Sequence, residues 1–203
     1  LSLLAGNDLT GQAADLQAKG NLNLQAGNDI ALSAGQSTLS LDQASHTQSR
    51  SKGLLGGSTR TDSATYRIEQ RTAVGSTLGG QNLSLQAGRD ISLEAVRLTA
   101  QDTLALTAGR DLSLTAAEST EVSSERHQRT TKENLGFGQQ SLKTTRDEST
   151  VIPEVSQLSG KKITLQAARD LTLVAPQIQA ETISASAGNQ LTVTTATATH
   201  EQK

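Results

Sequence analysis

LSLQAGRDISLEA, Leu83 to Ala95, returns 21 residues later as LALTAGRDLSLTA, Leu104 to Ala116. Leu83 falls on Leu104, Leu85 on Leu106, Ile91 on Leu112 and Leu93 on Leu114. The same step carries Leu1, Leu3 and Ala5 onto Leu22, Leu24 and Ala26. Near the end a step of 20 carries Ile163, Leu165 and Leu171 onto Ile183, Ala185 and Leu191. A fixed period near 20 in sequence of this kind is the mark of a solenoid.

One unit shows how the coil is made. Apolar residues alternate with Ser, Gln and Thr, the period of a strand with one buried face. Unbroken alternation past Ala87 would carry Arg89 inside, so a turn must reset the phase. Gly88-Arg89-Asp90 supplies it, because Gly tolerates positive φ and Asp bonds nearby N–H groups. Ile91-x-Leu93-x-Ala95 and Leu98-x-Ala100 complete three short strands per unit. Such units stack in parallel, and parallel crossovers are right-handed in nearly all cases. The expected fold is all-β: a right-handed parallel β-helix of 20–21-residue rungs carrying two β-hairpin insertions. Its expected core is Leu83, Leu85, Ile91, Leu93, Leu104, Leu106, Leu112, Leu114, Ile163, Leu165, Leu171 and Leu173. One Phe, one Tyr and no Trp suit a thin coil without room for rings.

The corners mark the rungs: Gly6 and Asp8, Gly27 and Asp29, Gly88 and Asp90, Gly109 and Asp111, then Asp170, with Gln190 in the sixth place. Their separations are 21, 61, 21, 59 and 20, so two intervals are long. No extra Leu-x-Leu-x-Ala-Gly unit fills them, which argues for one rung plus an insertion. Rungs are expected at 1–35, 76–117 and 156–203, and insertions at about 36–75 and 118–155, within a single repeat fragment. Both insertions have a Gly-rich centre and a Thr/Arg-rich return, the layout of a hairpin. In the first return strand Ala64, Tyr66 and Ile68 share one face. Tyr66, Ile68, Leu135 and Phe137 are the candidate contact residues, against an alternative in which the apolar face packs on the coil. His46 and His127 take matching places in the two insertions and read as exposed hairpin residues.

Composition excludes several functions. A net charge of −2 gives no electrostatic case for nucleic acid. No apolar run approaches the ~20 residues of a transmembrane helix. The opening LSLLAGND lacks the basic and apolar regions of a signal peptide, and it starts mid-repeat, as a piece of a longer protein would. Zero cysteines rule out disulfides. Repeated Asp could suggest calcium, but the dense Gly-Asp nonapeptide of calcium-binding rolls is missing, so the corners read as structural caps. Arg89, Arg110 and Arg169 beside them offset the repulsion of stacked carboxylates. No Gly-x-Ser-x-Gly elbow is present, and charges repeat along the chain without converging. No catalytic, cofactor or metal residue is assigned.

Tandem LxLxAGxDLxLxA rungs, paired and interrupted by Ser/Thr-rich inserts, resemble haemagglutinin repeats. These occur in filamentous haemagglutinins and CdiA-like contact-dependent growth inhibition proteins of Gram-negative bacteria. The insert-bearing module is similar to the second repeat region of the CdiA-like group. The resemblance implies export by a two-partner outer-membrane transporter, a cell-surface or secreted location, and delivery of a C-terminal toxin into neighbouring bacteria. It implies contacts with adjacent repeats of the same exoprotein and with a target-cell outer membrane or receptor. The other function it allows is an adhesin shaft binding host-cell surfaces.

Overall fold

The computed structural model describes every residue except 54–55 and 134–137, so Leu135 and Phe137 lie outside the described residues. All elements among the described residues are strands. They belong to two units. The first is Leu1–Ser37, Thr72–Ser119 and Ile152–Thr197; the second is Thr38–Arg71, Thr120–Val151 and Ala198–Lys203.

The first unit is a parallel β-helix. Rung one consists of β1 (Ser2–Ala5), β2 (Leu9–Gln12) and β3 (Asp15–Gln17). Rung two opens with β4 (Leu22–Ala26) and β5 (Ile30–Ser33). The chain then leaves along β6 (Gly35–Gly53) and returns along β7 (Gly56–Val74). Next, β8 (Thr77–Ala87) closes rung two and opens rung three, which runs on through β9 (Ile91–Glu94). Strand β10 (Arg97–Ala108) likewise links rungs three and four, and β11 (Leu112–Thr115) follows it. A second excursion, β12 (Ala117–Glu133) and β13 (Gln139–Glu154), precedes β14 (Gln157–Ser159), the third strand of rung four. Rung five holds β15 (Lys162–Ala167), β16 (Asp170–Val174) and β17 (Gln177–Gln179). Rung six holds β18 (Thr182–Ala187) and β19 (Gln190–Thr194), and β20 (Thr199–Gln202) follows.

Every pairing between rungs is parallel, in the register that the repeat dictates. Leu24 pairs with Leu85, Leu85 with Leu106, Leu106 with Leu165, and Leu165 with Ala185. On the next wall Ile30, Ile91, Leu112, Leu171 and Leu191 form a second column. Leu16, Leu78, Leu98, Leu158 and Ile178 form the third. All twelve expected core residues are buried, and Leu106 is wholly inaccessible. Burying a leucine of this kind contributes about 1.5–3 kcal/mol, which makes the columns the main source of stability.

One corner explains where the excursions leave. Ala13, Ala95 and Ala175 in rungs one, three and five adopt positive φ of 46°, 50° and 45°. Each turns the chain directly into its third strand. At the equivalent place in rungs two and four, after Ala34 and Ala116, the chain departs into β6 and β12 instead. Ala73, Ala95 and Ala117 pack together there with Ala34. Fully buried Ser76 and Ser156 receive the returning chain. The Ser76 hydroxyl accepts from the Ala14 N–H at 3.0 Å. The Ser156 hydroxyl accepts from the Val96 N–H at 3.2 Å and donates to the Thr115 carbonyl at 3.0 Å.

The second unit is a sheet in the order β20-β13-β12-β7-β6. Asp42 meets Arg67 and His46 meets Ser63, so β6 and β7 run in opposite directions. Strands β12 and β13 do the same, with Glu133 bonded to Gly138 and Ser124 to Asp147. Between the hairpins β7 and β12 pair antiparallel from Ser58–Glu133 to Arg71–Thr120. Strand β20 pairs antiparallel with β13, so Ala198–Lys203 join this sheet, where the sequence reading assigned them to the coil.

Candidate functional site

Polar groups gather at the corner ladder of the coil, at Asp102, which accepts from Lys161 at 2.7 Å and from Gln81 at 3.3 Å, and on the faces of the hairpin sheet.

At the corners, contact runs from rung to rung. The Asp29 carboxylate accepts from the Arg89 guanidinium of the next rung at 3.1 and 2.5 Å, and from the Asp90 N–H at 3.1 Å. Asp90 accepts in the same way from Arg110, through Nε at 2.7 Å and through Nη2, and from the Asp111 N–H at 3.2 Å. Asp111 accepts from Arg169, through Nε at 2.8 Å and through Nη2, and from the Asp170 N–H at 3.3 Å. Among the described residues Asp8 accepts a backbone bond alone, from Asp29, because Asn28 stands where the later rungs have Arg. Hydrogen bonding from arginine holds the Asp29 and Asp90 carboxyls below the usual carboxylate range. These carboxylates are spent on cross-rung clamps. The corner glycines Gly6, Gly27, Gly88 and Gly109 do not take the expected positive φ; close approach of the rungs calls for glycine instead, since a Cβ on Gly109 would collide with the Gly88 carbonyl oxygen.

The second unit has no core. None of its described residues is buried. Tyr66 is 39% exposed and Leu39 62% exposed. Residues directly opposed in an antiparallel pair share a face. Ile68 stands opposite Ser123, Tyr66 opposite Glu125, Ala64 opposite His127 and Asp62 opposite Arg129. The face that holds Tyr66 and Ile68 therefore also holds an ion pair, Arg129 to Asp62 at 2.7 Å, with Arg60 at 3.0 Å on the same carboxylate. Hydrogen bonding from Arg129 lowers the Asp62 pKa. The reverse face carries a shallow groove of about 440 Å³ lined by Asp42, Thr65, Arg67, Ser124 and Arg126. His46 opposes Ser63 and His127 opposes Ala64. Adjacent positions on β7 point to opposite faces, so the two histidines do not occupy matching places. No group of three metal-ligating side chains occurs among the described residues.

Exposed Tyr66 and half-buried Ile68 thus share one face of the sheet, whereas the corner and core residues are committed to holding the coil. Ser76, Ser156 and the three positive-φ alanines escaped sequence reasoning. The only available signal was the shared Ser-x-Leu of Ser76-Thr77-Leu78 and Ser156-Gln157-Leu158.

Stacked parallel rungs interrupted by paired hairpins define a repeat solenoid. The hemagglutinin repeat family model matches residues 1–68 and 55–203, and the chain belongs to that family. No curated protein and no solved structure matches the chain.

Proposed function

We propose that this chain is a non-catalytic segment of an exported bacterial surface exoprotein, and that it helps to deliver a C-terminal toxin across the outer membrane of a target cell. The coil serves as scaffold and the hairpin sheet as contact surface. The observation behind this reading is that the second unit, built on a five-stranded sheet, lacks a single buried described residue. Such a sheet adds little to folding, so its faces are available for a partner. The Asp62–Arg129 pair in the middle of one face interrupts any continuous apolar band. A membrane barrel needs such a band, so the partner is better read as a polar component of the target-cell surface than as the bilayer interior.

The test is deletion of residues 37–75 and 119–155 from the full-length parent, each rung being closed by a short turn. Surface display should persist and toxin delivery should be lost. Normal delivery by the deleted protein would overturn the reading. Lost attachment to host cells, with toxin delivery intact, would favour an adhesin shaft instead.

A further inference from the structure

The hairpin sheet follows a pairing rule that is seen twice. The return strand of the first hairpin, β7, pairs with the outgoing strand of the second, β12. The return strand of the second, β13, pairs with β20, which follows β19 as β6 follows β5. The register is also the same. Ile68 opposes Ser123, and Glu148 opposes Gln202. The return side has advanced 80 residues (148 − 68) and the outgoing side 79 (202 − 123). The coil advances by the same amounts: 80 from Ser76 to Ser156, and 79 from Leu112 to Leu191. The pairing is therefore a property of the module.

Among the described residues, β12 and β20 each pair with the return strand of the preceding hairpin, and β6 has no such neighbour. It ends the sheet, and all but one of its described residues are exposed. Natural edges are usually kept short or blunted by charged side chains, proline or bulges; β6 runs for 19 residues with Asp42, Arg50 and Lys52 as its charged side chains. No proline lies in β6. From Leu112 back to Ile30 the outgoing side recedes by 82 residues, so Leu41 holds the place of Ser123. We propose that the outer edge of β6 is a docking site for the return strand of a hairpin in another copy of this module. The strand docks antiparallel, with Leu41 opposite the position that Ile68 and Glu148 hold. Charge specifies which return strand fits. At the adjacent position Asp42 would face Arg67 of a β7-type strand, but Asp147 of a β13-type strand. The β7 type is complementary and the β13 type is not.

The proposal stands on the sheet alone and is independent of any target cell. To test it, residues 1–82 are duplicated in front of the chain, so that Asn82 of the added copy precedes Leu1 in rung phase. The chain has no native cysteine, so introduced pairs report cleanly. Ile68→Cys in the added copy with Leu41→Cys in the original should form a disulfide on mild oxidation. Arg67→Cys in the added copy with the same Leu41→Cys should not, because adjacent residues point to opposite faces. Ile68→Cys with Ser123→Cys, both in the original chain, reports that the known pairing has formed. If that control cross-links while the Leu41 pair does not, the proposal fails. Equal cross-linking of Leu41→Cys to positions 67 and 68 would also overturn it. So would a prevailing dimer in which two molecules are joined through position 41 of each.

Discussion

Arg89 grips Asp29 of the preceding rung through two parallel N–H···O bonds, while the backbone N–H of Asp90 donates to the same carboxylate. One side chain thereby ties two rungs together at a corner that the apolar columns do not reach.

These clamps have a pH sign. The Asp29 and Asp90 carboxyls have folded pKa values below their unfolded ones, chiefly through arginine hydrogen bonds. Their contribution is complete above the unfolded aspartate value of about 3.9 and is lost as pH falls through the lower folded value. The melting temperature should therefore be flat from neutral pH to about pH 5 and fall in stronger acid. Asp29→Asn with Asp90→Asn should flatten that acid limb. An unchanged slope in the double variant would show that the ladder does not set it.

Leu106 lies fully buried between Leu85 and Leu165, whereas neighbouring Thr107 points away from the columns. Leu106→Asp should cost about 3–5 kcal/mol or prevent folding, since it buries a charge with no partner. Thr107→Asp should cost under about 0.5 kcal/mol. Chemical denaturation of the two variants measures the difference.

Ser156→Ala removes two buried hydrogen bonds and strands the Val96 N–H. The expected loss is about 1–3 kcal/mol. An exposed control, Ser141→Ala on β13, should leave the denaturation midpoint in place.

Gly109→Ala drives a methyl group toward the Gly88 carbonyl, while a Cβ on Gly6 meets nothing within 4 Å. Overpacking of this kind costs about 1–3 kcal/mol. Thermal melts should separate the two alanine variants, with only Gly109→Ala lowering the midpoint. Ala168 already stands in this glycine column, so the corner between rungs four and five has adjusted to a methyl group.

The columns were legible because each rung repeats its alternation: Leu83 over Leu104 needs only counting. The rung-to-rung reach of Arg89 was not, since a sequence shows Arg89 beside Asp90 and hides the rung below. The full membership of each hairpin face was hidden for a similar reason. Alternation along β7 groups Ala64, Tyr66 and Ile68, but which residues of β12 join them depends on cross-strand register, and register brought Arg129 and Glu125 to that face. The six residues Ala198–Lys203 looked like the end of a coil because a single outgoing strand, without its return, has no hairpin signature.

The positive-φ alanines occupy alternate rungs, and the hairpins leave from the others. Two rungs add two strands to each wall of the coil, and the one hairpin that leaves them adds two strands to the other sheet. The alternation of left-handed corner and excursion thus keeps the two strand counts equal along the chain.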